Sequence, residues 1–217
     1  MGVSATHLDW TMVPYVRMSF FKHYLMQYLK ETEEFDSLDL INLSEEELDD
    51  WVEEHKQEYL SKWNLKEEDF KLSNKDILDK HLYQCALFDT RREMCQATEG
   101  LYHNLNSLQS RSGNQLPFTS INYGTNTELE GQLVIKALLE SSIKGVGRHH
   151  KTPIFPCGIF QYMKGVNDKP GTPNYELYRL ALKSTSKRLY PNYANVDWSG
   201  NAGYDKNDPR TYFSTMG

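Results

Sequence analysis

Between a helical stretch and a strand-like run, the chain carries Ser110-Arg111-Ser112-Gly113-Asn114-Gln115. Six residues thus bring two hydroxyls, a guanidinium, two amides and a glycine. Such a loop can donate many hydrogen bonds to a base or a phosphate, and Gly113 permits close backbone approach. The same residues also suit an ordinary helix-to-strand connection, and their types alone leave both readings open. Other candidates are poorer. Cys157 lies in Phe155-Pro156-Cys157-Gly158 without an adjacent histidine or acid and reads as a packed thiol. His149-His150 has no partner at metal-ligand spacing, so no metal site is predicted. Glu99 and Asp197 could serve as acid or base only if the fold paired them. The chain has neither a GxGxxG motif nor a P-loop.

The elements that must position these groups follow from periodicity. Residues 7–30 read as a helix, with Val13, Val16, Phe20, Tyr24 and Met26 at near-helical spacing and Pro14 in the first turn. Ser44 and Glu47 form a capping box ahead of the stripe Leu48, Trp51, Val52, His55 and Tyr59. Ser73 is placed as the cap of a further short helix before Ile77. Residues 91–109 read as an amphipathic helix with Met94, Ala97, Leu101, Leu105 and Leu108 on one face. A strand over 116–123, a turn at 124–127 and a helix over 128–143 follow. Next come a strand over 153–160, a helix capped by Asn174 and stopped by Pro191, and short strands near 194–198 and 211–216. Strand and helix alternate from residue 91 onward, so a mostly parallel α/β barrel is the economical fold, with an open doubly wound sheet as the alternative.

Composition narrows the class. The chain has 217 residues, enough to bury a core, and its mean hydropathy of -0.67 fits a soluble, polar protein. No run of about 18 apolar residues would span a membrane, and the amino end has no signal-peptide pattern. Cys85, Cys95 and Cys157 form no CxxC pair, which suits a reducing cytoplasm. The net charge of -6 is divided unevenly. Residues 31–80 hold eighteen acids and six bases, a balance of -12, and the remainder holds twelve acids and eighteen bases, or +6. The acidic stretch reads as a solvated, peripheral helical hairpin or insertion over 31–82. The diffuse basic excess elsewhere does not indicate a nucleic-acid surface.

Several ordered motifs carry a family resemblance. The stretch YHNLNSLQSRSGNQLPFTSINYGT, from Tyr102 to Thr125, resembles a segment of the anaerobic (class III) ribonucleotide reductase catalytic subunit. Further likenesses follow in order: Glu130-Gly131, Lys151-Thr152-Pro153-Ile154-Phe155-Pro156, Lys164-Gly165-Val166-Asn167 and Pro173-Asn174-Tyr175-Glu176-Leu177. Ser186-Lys187-Arg188-Leu189-Tyr190-Pro191 and Thr215-Met216-Gly217 complete the series. The likeness is firm from about residue 91, weaker over 7–30 and weakest over 31–82.

The resemblance implies part of a ten-stranded α/β barrel over 91–217, preceded by a helical segment over 1–90. Ser120 and Asn122 would lie on a barrel strand. Ser110, Arg111, Ser112, Gly113, Asn114 and Gln115 would form the loop through which an effector nucleotide selects the substrate. Met216 and Gly217 would adjoin the cysteine that becomes the thiyl radical. The implied reaction converts ribonucleoside triphosphates to deoxyribonucleoside triphosphates by glycyl and thiyl radical chemistry, with formate as reductant and ATP or dNTP effectors acting allosterically. The family's radical-storing glycine and its structural zinc find no counterpart in these motifs, so no cofactor and no catalytic residue is expected within the chain. The expected partners are the remaining pieces of the same reductase, a second copy of the assembled subunit, a radical-SAM activating enzyme and the nucleotides. An internal fragment of a split or intein-interrupted gene, inactive alone, is the expectation. The alternatives are a piece of a pyruvate formate-lyase type enzyme and a non-catalytic nucleotide-binding or complementation fragment.

Overall fold

The computed structural model describes residues 2–32, 44–108 and 116–197, together with Asp205, Asp208 and Arg210. The strand expected over 211–216 lies outside the described residues. The chain divides into two compact units, Met1–Val13 with Glu93–Gly217, and Pro14–Arg92. The described helices are α1 Leu8–Thr11, α2 Val13–Glu31, α3 Glu45–Trp63, α4 Lys80–Ser107, α5 Leu129–Lys144 and α6 Tyr175–Arg188.

In the first unit, β1 Gly2–Ala5, β2 Phe118–Tyr123, β3 Cys157–Tyr162 and β4 Asn192–Asn195 form one parallel sheet in that order. Parallel neighbours need a crossover; α5 supplies it between β2 and β3, and α6 between β3 and β4. Proline sets where the ladder begins. Pro117, Pro156 and Pro191 immediately precede β2, β3 and β4, and a residue without an N–H cannot donate to a neighbouring strand. For that reason β3 starts later than the 153–160 run suggests. β1 has no counterpart in the sequence reading, because four residues are too few to show a period.

The register gives the sheet two unlike faces. Tyr123, Phe160 and Tyr193 lie in one row across three strands. Phe160 and Tyr193 meet Tyr178 of α6 at ring-centroid distances of 6.0 Å each. The opposite row pairs Ser4 with Ser120 and Ser120 with Cys157, and Asn122 follows two residues on.

The long helix α4 corrects the expected stripe. Its buried positions are Leu82, Ala86, Thr90, Met94, Thr98 and Tyr102, whereas Ala97 is exposed and Leu108 lies beyond its end at 59% exposure. Two of the buried residues are threonines, which an apolar template overlooks. Thr90 Oγ1 donates to Ala86 O at 2.7 Å, and Thr98 Oγ1 donates to Met94 O at 3.0 Å. Each hydroxyl is thereby satisfied inside its own helix and can face the interior.

The second unit packs the aromatic side of α2 against α3. Phe21 stacks on Phe70 at 3.8 Å, and Tyr59 meets Tyr28 at 4.7 Å and Tyr24 at 5.9 Å. The Ser44 capping box is present, with Glu47 N donating to Ser44 Oγ and Ser44 N to Glu47 Oε2. Ser73 caps nothing: its hydroxyl bonds Asn74 Oδ1, and residues 71–77 form turns. Asp79 caps instead, its Oδ1 accepting from the amides of His81 and Leu82 at 2.9 and 3.0 Å. Between α3 and α4 the described residues hold one 3-10 turn, Glu67–Asp69, and no second α-helix.

One side chain closes the end of α5. Arg188 donates from Nε and Nη2 to Ile143 O, from Nη2 to Lys144 O and from Nη1 to His150 O, at 2.8 to 3.0 Å. Arg188→Ala should cost about 1–2 kcal/mol of stability by leaving terminal carbonyls unpaired. Arg188→Lys should recover less than half, since an ammonium lacks the planar fork. Urea unfolding of the three proteins checks both.

Candidate functional site

The carboxyl ends of β1, β2 and β3 are bound together by buried polar groups. Asp9, in α1, has no exposed surface. Its Oδ2 accepts the backbone N–H of Gly124 and of Asn126, both at 3.0 Å. Asn126 returns a bond from Nδ2 to Asp9 O at 2.9 Å and holds Glu128 N on its Oδ1. Two further asparagines satisfy the carbonyls of the same turn. Asn174 Nδ2 donates to Gly124 O and Asn126 O at 3.1 and 2.8 Å. Asn167 Nδ2 donates to Gly124 O and Gln161 O, while its Oδ1 accepts from Met163 N. The turn after β2 is thus fixed through both its donors and its acceptors.

Two glycines admit this arrangement. Gly124 has φ +127° and lies so close to β3 that a Cβ would come 3.0 Å from Gln161 O. A Cβ on Gly131 would overlap the Asn126 amide. No other residue type fits either position.

Burial dominates the electrostatics of Asp9 and raises its pKa above the usual carboxylate range. The two backbone N–H bonds and the nearby His7 pull the other way without cancelling it. Oδ1 has no hydrogen-bond partner and is the oxygen a proton would occupy.

The polar row of the sheet leads towards this network. Ser120 and Asn122 are both fully buried. Ser120 Oγ donates to Ser4 Oγ at 3.0 Å, whereas neither amide atom of Asn122 has a partner. A buried amide with donor and acceptor both open is suited to a ligand rich in hydroxyls.

Ser120 and Asn122 both lie on β2 with their side chains buried. Ser110, Arg111, Ser112, Gly113, Asn114 and Gln115, like Met216 and Gly217, lie outside the described residues. The weaker candidates have structural roles. Glu99 pairs with Lys144 at 2.6 Å, Asp197 Oδ2 accepts Lys164 N at 2.7 Å, and His150 Nδ1 contacts Lys144 O. Cys157 is a free thiol beside Ser120, and the Tyr190 hydroxyl, its pKa raised first by burial, bonds to it. Asn174 precedes α6 but makes no cap bond; its amide serves the Gly124 turn instead. No three His, Cys, Asp or Glu side chains gather as metal ligands among the described residues, and no described helix is long and apolar enough to cross a membrane. Sequence reasoning overlooked Asp9, Asn126 and Asn167 as a group: it placed Asp9 in a helix, Asn126 in a turn and Asn167 in a motif, and residues this distant along the chain give no joint signal.

Comparison with known proteins places these features in a family. The family model described as anaerobic ribonucleoside-triphosphate reductase matches residues 2–217. The chain is 37% identical over 122 residues to the anaerobic ribonucleoside-triphosphate reductase of Haemophilus influenzae, covering 56% of this chain and 17% of that one. It is 37% identical over 108 residues to the Escherichia coli protein of the same name, covering 50% and 15%. With that of enterobacteria phage T4 it shares 39% over 102 residues, covering 47% and 17%. The chain thus spans about one sixth of the length of these curated relatives. It belongs to the anaerobic ribonucleoside-triphosphate reductase family.

A carboxyl whose pKa is raised by folding stabilises the protein fully below its ordinary value of 3.8, and this contribution is lost as pH climbs through the raised value. Relative to Asp9→Asn, the wild type should therefore lose stability as pH rises from about 4 towards neutrality. Urea unfolding of both proteins across that range measures the gap; a constant gap would contradict the raised pKa. Asn122→Leu removes two unsatisfied buried atoms at similar volume, so it should stabilise the chain by about 1–3 kcal/mol. The same unfolding measurement at one pH checks it.

Proposed function

We propose that this chain supplies part of the catalytic barrel of an oxygen-sensitive reductase that converts ribonucleoside triphosphates to deoxyribonucleoside triphosphates, with the polar face of its sheet turned towards the nucleotide. The observation that carries this reading is Asn122, fully buried on β2 with both amide atoms unpartnered beside Ser120. The sequential strand order, without a reversal among the described strands, supports a barrel over a doubly wound sheet. In this reading Asn122 and the Ser120 hydroxyl hydrogen-bond the sugar or its phosphates, and the Asp9–Asn126–Asn174 network holds the end of β2 still while they do so.

A glycyl radical and the thiyl cysteine beside Met216-Gly217 would supply the radical chemistry, and formate the reducing electrons. In this reading other residues of the assembled reductase would hold the radical glycine and the structural zinc. A radical-SAM activating enzyme, a second assembled subunit and the remaining parts of the reductase are the proposed partners, and the isolated chain is not expected to turn over. The pyruvate formate-lyase alternative loses support, since the relatives found bear the reductase name.

Two measurements test the proposal in the assembled enzyme. Asn122→Leu should lower dNTP formation at least about tenfold while leaving the protein folded, the scale of one lost polar contact to substrate. Unchanged turnover would remove Asn122 from the site. For the 110–115 loop, Arg111→Ala and Gln115→Ala should each change which ribonucleotide is reduced with a given effector, by about 1–3 kcal/mol in relative kcat/KM. Ratios matching wild type across every substrate and effector would reduce the loop to a connection.

A further inference from the structure

The unit Pro14–Arg92 contains a cavity of about 490 Å³ that the nucleotide reading does not use. Its aromatic lining comes from Tyr24, Tyr28, Tyr59 and Trp63. The rings are steeply inclined to one another: Tyr59 meets Tyr28 edge to face at 76° and Tyr24 at 74°, with Trp63 tilted at 6.4 Å. An aromatic lining can attract a cation through the ring quadrupole. Two carboxylates, Glu31 and Asp79, belong to the lining beside Thr32 and four aliphatic residues, and no lysine or arginine belongs to it among the described residues. Lys62, outside the lining, donates to the Tyr28 hydroxyl at 3.0 Å and stands 5.7 Å from the centre of that ring, and His81 lies 3.4 Å from Glu31. The mouth keeps apolar surface in water, with Trp63 53% and Ile77 60% exposed. The surrounding stretch, residues 31–80, carries a balance of -12.

A triphosphate would meet carboxylates here, which separates this cavity from the proposed nucleotide site. We propose that it is a docking site for a basic segment of a partner protein. An arginine or lysine side chain enters the cavity against Glu31 and Asp79, and its apolar neighbours cover Trp63 and Ile77. The acidic stretch draws such a segment in from a distance, and the cavity selects the residue that enters. The inference stands whether or not the nucleotide reading holds, because it concerns a different unit and the opposite ligand charge.

The test titrates the 217-residue chain with three blocked tripeptides, Leu-Arg-Leu, Leu-Gln-Leu and Leu-Glu-Leu, following the Trp63 indole and the tyrosine rings by NMR. The arginine peptide should bind saturably, at least about tenfold more tightly than the glutamine peptide, as one cation–π and ion-pair site allows. The glutamate peptide should not bind, and added salt should weaken the arginine peptide. Trp63→Ala and Glu31→Gln both alter exposed side chains and should leave the melting temperature in place while lowering affinity. His81→Gln removes the same ion pair but keeps the acid, and should leave affinity intact. Equal binding of the three peptides, no saturable binding of the arginine peptide, or an equal loss with His81→Gln would each overturn the proposal.

Discussion

Asp9 takes its carboxylate wholly out of water to receive two backbone N–H groups from the turn after β2, 115 and 117 residues further along the chain. Burying such a group without partners is prohibitively costly, and even paired it retains a desolvation penalty of several kcal/mol. Two measures reduce that cost: the donors at Oδ2 and a pKa shifted towards the neutral form. The asparagines that satisfy the neighbouring carbonyls add no charge, so the network gains rigidity without adding another ion to desolvate. The positions of Gly124, Asn126 and Gly131 all answer to this one constraint.

The sheet above the network divides its labour by face. Tyr123, Phe160 and Tyr193 form an aromatic row, and the helix that returns across the sheet contributes Tyr178 to the same cluster. That face is ordinary core. The other carries the buried Ser120 and Asn122 where a protein optimised only for stability would place aliphatic side chains. Unsatisfied buried amides are rare in native interiors, and they cluster where a ligand completes them.

Much of the fold was legible in the sequence because it depended on short-range rules. β2, α5 and α6 fall close to the positions that period, proline and glycine suggest, and the Ser44–Glu47 box is present as written. Three failures have physical causes. The inward face of α4 was misassigned because Thr90 and Thr98 hide their hydroxyls on their own helix. Ser73 lost the cap to Asp79, whose carboxylate reaches two amides at once. Asn174 holds a typical cap position but directs its amide to a turn 48 to 50 residues earlier. The candidate site was half legible: motif likeness reached Ser120 and Asn122, but no local pattern joins Asp9 to Asn126. Only the folded sheet makes them neighbours.

The pairing of β1 with β2 has a consequence for how the protein is made. β1 is synthesised before β2, yet its only strand partner among the described residues begins at Phe118. Closing so long a loop carries an entropic cost that grows with the logarithm of its length, and contacts of high sequence separation slow folding. β1 must therefore wait, with Asp9 still hydrated, while the segment before β2 is synthesised. The β1–β2 ladder and the Asp9 bonds to the turn after β2 can form only once both ends of that long loop exist.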